Sequence, residues 1–193
     1  MTFEIFFVFF LSYISGSIPF GLILANLFLK KDIRKIGSKN IGATNVLRTG
    51  SKFIASITLL LDILKGVLPI IITNHYFPSL IYFSGLLTFL GHIFPVWIKF
   101  KGGKGVATLL GIVFALSLKL GLFFCLAWLL IALITKYSSL SSIVASLFIF
   151  LISFFENNFE LTSYLFITFT LILYTHRQNL VRLKKKTEDK IKL

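Results

Sequence analysis

The stretch FIASITLLLDILKGVLPIIIT, residues 53–73, decides the class of fold. It stays apolar over the roughly 20 residues that a helix needs to cross a bilayer, so it reads as a transmembrane span. Asp62 and Lys65 stand inside it, three positions apart and therefore on one helical face. Charges at that depth are costly unless they meet partners. The pair reads as glue between helices, which places this span in a bundle.

Outward from this stretch, apolar runs occupy residues 5–29, 80–98, 106–118, 120–134, 140–155 and 161–174. A mean hydropathy of +0.92, with 23 Phe and only 14% charged residues among 193, fits an integral membrane protein. The last four runs are short for full spans, and the two flanking Lys119 can also be joined into one long helix. Charge placement decides. With seven spans and the N-terminus outside, every Lys and Arg except Lys65 and Lys119 falls on one side, from the Lys30–Lys52 loop to the tail ending in Lys192. Glu4, Glu156 and Glu160 fall on the other. A six-span count strands Lys136 and the tail outside, against the positive-inside tendency. The expected fold is all-α: a polytopic integral membrane protein with seven transmembrane helices, N-terminus outside and C-terminus cytoplasmic. It forms a single membrane-embedded domain over residues 1–193, with a basic tail over about 177–193.

The net charge of +13 does not indicate a nucleic-acid partner, because the charge is confined to joints between apolar runs. The single Cys125 leaves no disulfide framework, and no metal-ligand cluster is expected. The N-terminus lacks the basic start of a cleavable signal, so the first run is kept as a span. On that run Ser12, Ser15, Gly16, Pro19 and Asn26 lie close to one face, a packing face rather than a lipid face.

Four polar clusters collect on the expected cytoplasmic side. The first is Gly37-Ser38-Lys39-Asn40-Ile41-Gly42-Ala43-Thr44-Asn45-Val46-Leu47-Arg48, rich in donors and free of carboxylates. If it is helical from Gly42, then Asn40, Thr44 and Arg48 share a face. The second, Lys99-Phe100-Lys101-Gly102-Gly103-Lys104-Gly105-Val106-Ala107-Thr108, leads glycines and lysines into an apolar helix whose first N–H groups can face an anion. It does not match the nucleotide P-loop pattern. The third is Ser138-Ser139-Leu140-Ser141-Ser142, with Ser139 and Ser142 on one face. The fourth is His176-Arg177-Gln178-Asn179, followed by Lys184-Lys185-Lys186, a contact for anionic membrane lipids. Each cluster alone also reads as a basic joint or a helix cap.

Together they describe an anion pocket. Asp32, Glu188 and Asp189 are the acids on that side, too few for a carboxylate-held Mg²⁺ or a Ser-His-Asp arrangement. The residues themselves lead to a membrane-embedded site for a phosphate-bearing ligand. A transporter of phosphorylated metabolites is the competing class, and the lack of internal repeats counts against it. A non-catalytic scaffold has no evident need of such loops.

These clusters, taken in order with Ser15-Gly16-Ser17-Ile18-Pro19, Asp32-Ile33-Arg34, Leu61-Asp62-Ile63-Leu64-Lys65-Gly66 and Gly91-His92, resemble the bacterial acyl-phosphate:glycerol-3-phosphate acyltransferase family over nearly the whole chain. One departure lies in the tail, where Lys186-Thr187-Glu188 stands where the family usually has a Gly before the Glu; it is expected to alter a tail turn and not the site. The HxxxxD box of another acyltransferase class is absent, since Leu80, Trp97 and Val181 follow the three histidines at that spacing.

The resemblance implies transfer of a fatty acyl group from acyl phosphate to the 1-position of glycerol 3-phosphate, giving lysophosphatidic acid for phospholipid synthesis. It implies Ser38, Arg48, Lys104 and His176 as catalytic residues, and Asn40, Thr44, Asn45, Gly102, Gly103, Ser139, Ser142 and Asn179 as substrate-binding residues. It implies no cofactor and no metal, a location in the bacterial inner membrane with the active site facing the cytoplasm, and an upstream enzyme that forms acyl phosphate.

Overall fold

The computed structural model describes residues 2–191, so Lys192 of the basic tail lies outside the described residues. Among those residues all regular structure is helical. The helices are α1 Thr2–Ser17, α2 Phe20–Leu29, α3 Ala43–Leu47, α4 Lys52–Tyr76, α5 Ile81–Ile93, α6 Val106–Leu116, α7 Leu118–Thr135, α8 Ser138–Ser153, α9 Phe159–Thr175 and α10 Arg177–Lys184. Five helical stretches are long and apolar enough to cross a membrane: Thr2–Leu29, Lys52–Tyr76, Pro78–Ile98, Leu118–Thr135 and Ser138–Glu156. Val106–Leu116 and Phe159–Thr175 are shorter apolar helices. Each of the seven apolar runs is thus helical, and five reach full length.

The first run is not one helix. Pro19 has no N–H to give to the preceding turn, and the chain breaks there between α1 and α2. Lys65 answers the break: its Nζ donates to the Ile18 carbonyl at 2.7 Å while pairing with Asp62 Oδ1 at 2.7 Å. Both side chains are almost fully buried. The intramembrane pair therefore does hold helices together. The runs around Lys119 are likewise separate, because Ser117 is extended and its hydroxyl caps α7 at the Leu120 N–H.

The residues up to Leu116 and those from Ser117 onward form two compact units. In the first, α1 packs on α5 and α4 on α6. Lipid tails are as apolar as the helices, so close backbone approach and polar contacts hold such pairs. A Cβ on Gly16 would lie 2.0 Å from Thr88 O, and one on Gly111 would lie 2.1 Å from Ile63 O. Only glycine permits either approach. Ser12 and Ser84 hydroxyls meet at 2.8 Å, and Thr73 donates to Ser84 at 3.1 Å. Each such bond contributes on the order of 0.6 kcal/mol in a membrane. A small apolar cluster of Leu22, Ala25, Ile33, Ile41, Val46, Ile54 and Ala55 anchors the polar loop between α2 and α4. In the second unit α8 packs against both α7 and α9. Lys119 and Glu156 pair there at 2.8 Å.

Candidate active site

The loop carrying the first cluster is built around Asn45, which is buried. Its Nδ2 donates to the carbonyls of Ile33 at 2.8 Å and Asn40 at 2.7 Å, and its Oδ1 accepts from the Ser38 N–H at 3.0 Å. One side chain thus fixes three points of the loop, as a buried amide must if its polar atoms are to be satisfied. Helix α3 begins only at Ala43, since Gly42 is extended, so Asn40 stands outside it and does not share a helical face with Thr44 and Arg48. Gly37 turns with φ +51°, and a Cβ there would lie 2.8 Å from Arg48 Cδ. The Arg48 side chain therefore crosses beside Gly37, the residue before Ser38. Asp32 does not oppose this basic loop: Arg34 donates to both its oxygens at 2.9 Å and holds its carboxyl down at about 2.

The second cluster is a tight loop moulded on the last turn of α5. Gly102 N–H donates to Ile93 O at 3.0 Å and Gly103 N–H to His92 O at 3.1 Å. These two N–H groups are turned to α5 and not outward to an anion. The glycines serve close approach: a Cβ on Gly103 would lie 2.1 Å from His92 Nε2. Lys104 follows directly, ahead of Gly105 at φ +84° and the start of α6.

In the second unit Ser142 is buried, donates to Ser138 O at 2.8 Å and accepts from Trp128 Nε1 at 3.1 Å. His176 is buried at the junction of α9 and α10. Its Nδ1 lies 2.9 Å from Ile172 O. A carbonyl only accepts, so Nδ1 carries the proton and Nε2 is the basic nitrogen.

Glu188 belongs to the tail by sequence but meets α8 and α10 in space. Its carboxylate accepts from Ser139 Oγ at 2.7 Å, from Asn179 Nδ2, and from Arg182 Nε at 2.7 Å. Burial raises the acid, yet these donors outweigh it and hold the Glu188 carboxyl below its ordinary value. The tail reaches this position through Lys186, whose φ of +56° is the left-handed conformation that glycine adopts without strain. The tail turn is thus made with lysine in place of the family's usual Gly. Ile191 N–H then bonds Lys136 O at 2.8 Å. The sole sequence signal for this arrangement was that same departure next to Glu188.

The fold and its polar joints define a helical membrane protein whose short joints carry buried hydroxyls and amides beside basic groups, a set suited to an anionic ligand. The comparisons are more specific. Residues 6–186 match the family described as Glycerol-3-phosphate acyltransferase, and the chain belongs to that family. It is 55% identical over 184 residues to the glycerol-3-phosphate acyltransferase of Pelagibacter ubique (strain HTCC1062), covering 94% of this chain and 95% of that one. It is 49% identical over 179 residues to that of Brucella suis (strain ATCC 23445 / NCTC 10510), covering 93% and 89%. A crystal structure of PlsY (YgiH), an integral membrane glycerol 3-phosphate acyltransferase, in its glycerol 3-phosphate form, superposes with a TM-score of 0.93 at 40% identity, over 97% of this chain and 96% of that one. The lysophosphatidic acid form gives 0.90 at 40% identity, over 97% and 95%.

Proposed function

We propose that this enzyme transfers a fatty acyl group from acyl phosphate to the 1-position of glycerol 3-phosphate and releases lysophosphatidic acid and phosphate. The likeness to an acyltransferase solved in glycerol 3-phosphate and lysophosphatidic acid forms carries this reading. The acceptor hydroxyl attacks the acyl carbonyl, a carbon–oxygen ester bond forms, and the anhydride bond to phosphate breaks. The hydroxyl proton ends on the departing phosphate, which is already a good leaving group. The protein's task is then to hold two anions together and to stabilise developing charge.

Within that reading Arg48 grips the acceptor phosphate with its planar fork, beside Ser38 and Thr44. Asn40 and Asn45 hold the loop that presents them. Lys104 acts as a point charge on the phosphates, set in place by Gly102 and Gly103. In the second unit Ser142, His176 Nε2 and Asn179 meet substrate oxygens, with Ser139 shaping the site through Glu188. The seven helical runs cross the bacterial inner membrane, with the N-terminus outside and the C-terminus and site cytoplasmic, and residues 1–193 act as one catalytic domain. An upstream enzyme that forms acyl phosphate supplies the donor, and the basic tail lies against anionic lipid. The test is synthesis by purified protein in detergent: lysophosphatidic acid should appear from acyl phosphate and glycerol 3-phosphate. Exchange of phosphorylated metabolites by vesicles without product formation would replace this reading with a transporter.

A further inference from the structure

We infer that His92 is a positioning residue for Lys104, acting as the mould on which the glycine loop ahead of α6 is cast. This rests on the reading of Lys104 as a point charge on the phosphates, the acceptor's among them.

His92 touches the loop in three ways. Its carbonyl accepts the Gly103 N–H at 3.1 Å, its Nε2 edge lies where a Gly103 Cβ would be, and its Nδ1 stands 3.1 Å from Thr108 Oγ1 in the first turn of α6. His92 and Thr108 are both buried. Lys104 is therefore bracketed by two positions that His92 holds, Gly103 before it through the His92 carbonyl and the flank of the ring, and Thr108 after it through Nδ1. The ring has little freedom to leave. Behind it stands Asp62 Oδ1 at 4.0 Å from Nδ1, and Asp62 is paired with Lys65. Phe89, one turn earlier on α5, packs where a Gly105 Cβ would fall, 2.2 Å from that position. The last turn of α5 thus supplies a template that permits no side chain at 103 or 105, and the loop presents one charged side chain between them. A point charge acts on a bound phosphate only if its stem begins in the right place, and His92 sets that place.

His92 on this account meets no substrate, so its loss shows in acceptor binding and not in the chemical step. His92→Phe keeps a planar ring and removes Nδ1, while His92→Asn keeps a hydrogen-bonding atom near the Nδ1 position. Thr108→Val cuts the same bond from α6 and preserves shape. His92→Phe and Thr108→Val should each raise KM for glycerol 3-phosphate by about tenfold or more with kcat within about threefold, and His92→Asn should recover much of the loss. Amide exchange over residues 99–108, measured without substrate, should quicken in His92→Phe and Thr108→Val. A fall in kcat at unchanged KM, or unchanged KM and unchanged exchange in Thr108→Val, would overturn the proposal. Faster exchange with no change in KM would overturn the assignment of Lys104 to the acceptor phosphate and leave the moulding role standing.

Discussion

The Glu188 carboxylate accepts the Ser139 hydroxyl at 2.7 Å, joining the tail to the first turn of α8 across 49 positions of sequence. With Asn179 and Arg182 on the same carboxylate, three side-chain donors are committed to one acid. In Glu188→Gln the amide oxygen still accepts from Ser139 and Asn179, but its nitrogen meets Arg182 donor to donor. We expect a loss of about 1–3 kcal/mol, the scale of one charged hydrogen bond, measured as detergent-phase thermal unfolding. The sign with pH follows from the lowered folded value of Glu188: its stabilisation is present above the unfolded value and disappears as pH falls through the folded one. Acidification below about pH 5 should therefore destabilise the wild type more than Glu188→Gln. Parallel acid profiles for the two would remove Glu188 from this role.

The arrangement of the chain in the membrane is testable with cysteine in place of exposed Lys35, Lys101 and Lys184, and of exposed Asn74 and Asn157, in a Cys125→Ala background. The first three should react with an impermeant thiol reagent only from the cytoplasmic side, and the other two only from outside. Outside labelling at Lys101 would undo the seven-span arrangement.

Hydropathy made the seven helical runs legible, because each is long enough for its apolar residues to outweigh everything local. It did not show the break at Pro19, since apolar residues continue on both sides and the Ile18 carbonyl is satisfied by Lys65, 47 positions away, together with the local Phe20 N–H. The types of residue in the polar clusters were legible for the same reason that lone polar stretches stand out in an apolar chain. Their geometry was not. Asn45 reads as one more donor until its three bonds to the loop backbone are seen. Glu188 reads as a solvated tail acid until the turn at Lys186 brings it to Ser139. The Lys65 and Glu188 contacts join positions 47 and 49 apart, and the Asn45 bonds depend on a loop fold that composition does not encode.

The buried pair gives a sharper energetic test. Removing one partner leaves an uncompensated charge in the bundle, which costs about 3–5 kcal/mol. Lys65→Met should therefore sharply lower thermal stability in detergent, while Asp62→Asn combined with Lys65→Met should recover most of it. A double variant as unstable as the single one would mean that the bond from Lys65 to Ile18, and not the charge balance, sets the cost.

Arg48 and Lys104 carry the same charge and, in the proposed reaction, different tasks. Arg48→Lys keeps the charge and loses the bidentate fork. It should raise KM for glycerol 3-phosphate and cost about 1–3 kcal/mol in kcat/KM, as loss of a charge-assisted hydrogen bond does. An unchanged KM for glycerol 3-phosphate, with the effect confined to the acyl donor, would move Arg48 to the donor's phosphate.

Variants of His176 test how the acceptor hydroxyl loses its proton in the proposed reaction. The His176 Nδ1–H is committed to Ile172 O, so the only nitrogen it offers for proton transfer is Nε2. A carbonyl at Nδ1 holds the ring's orientation without balancing a positive imidazolium as a carboxylate does. In the proposed reaction the donor's own phosphate oxygens are the base, and His176 orients the hydroxyl as a hydrogen-bond acceptor. His176→Asn can keep the bond to Ile172 and loses Nε2, while His176→Gln extends an amide towards the Nε2 position. Neither amide takes up a proton near neutral pH, so measurable turnover in both variants is expected. The pH profile of kcat should not lose a limb in either one. A fall of about 10⁴-fold or more in kcat with KM unchanged would instead make His176 the general base.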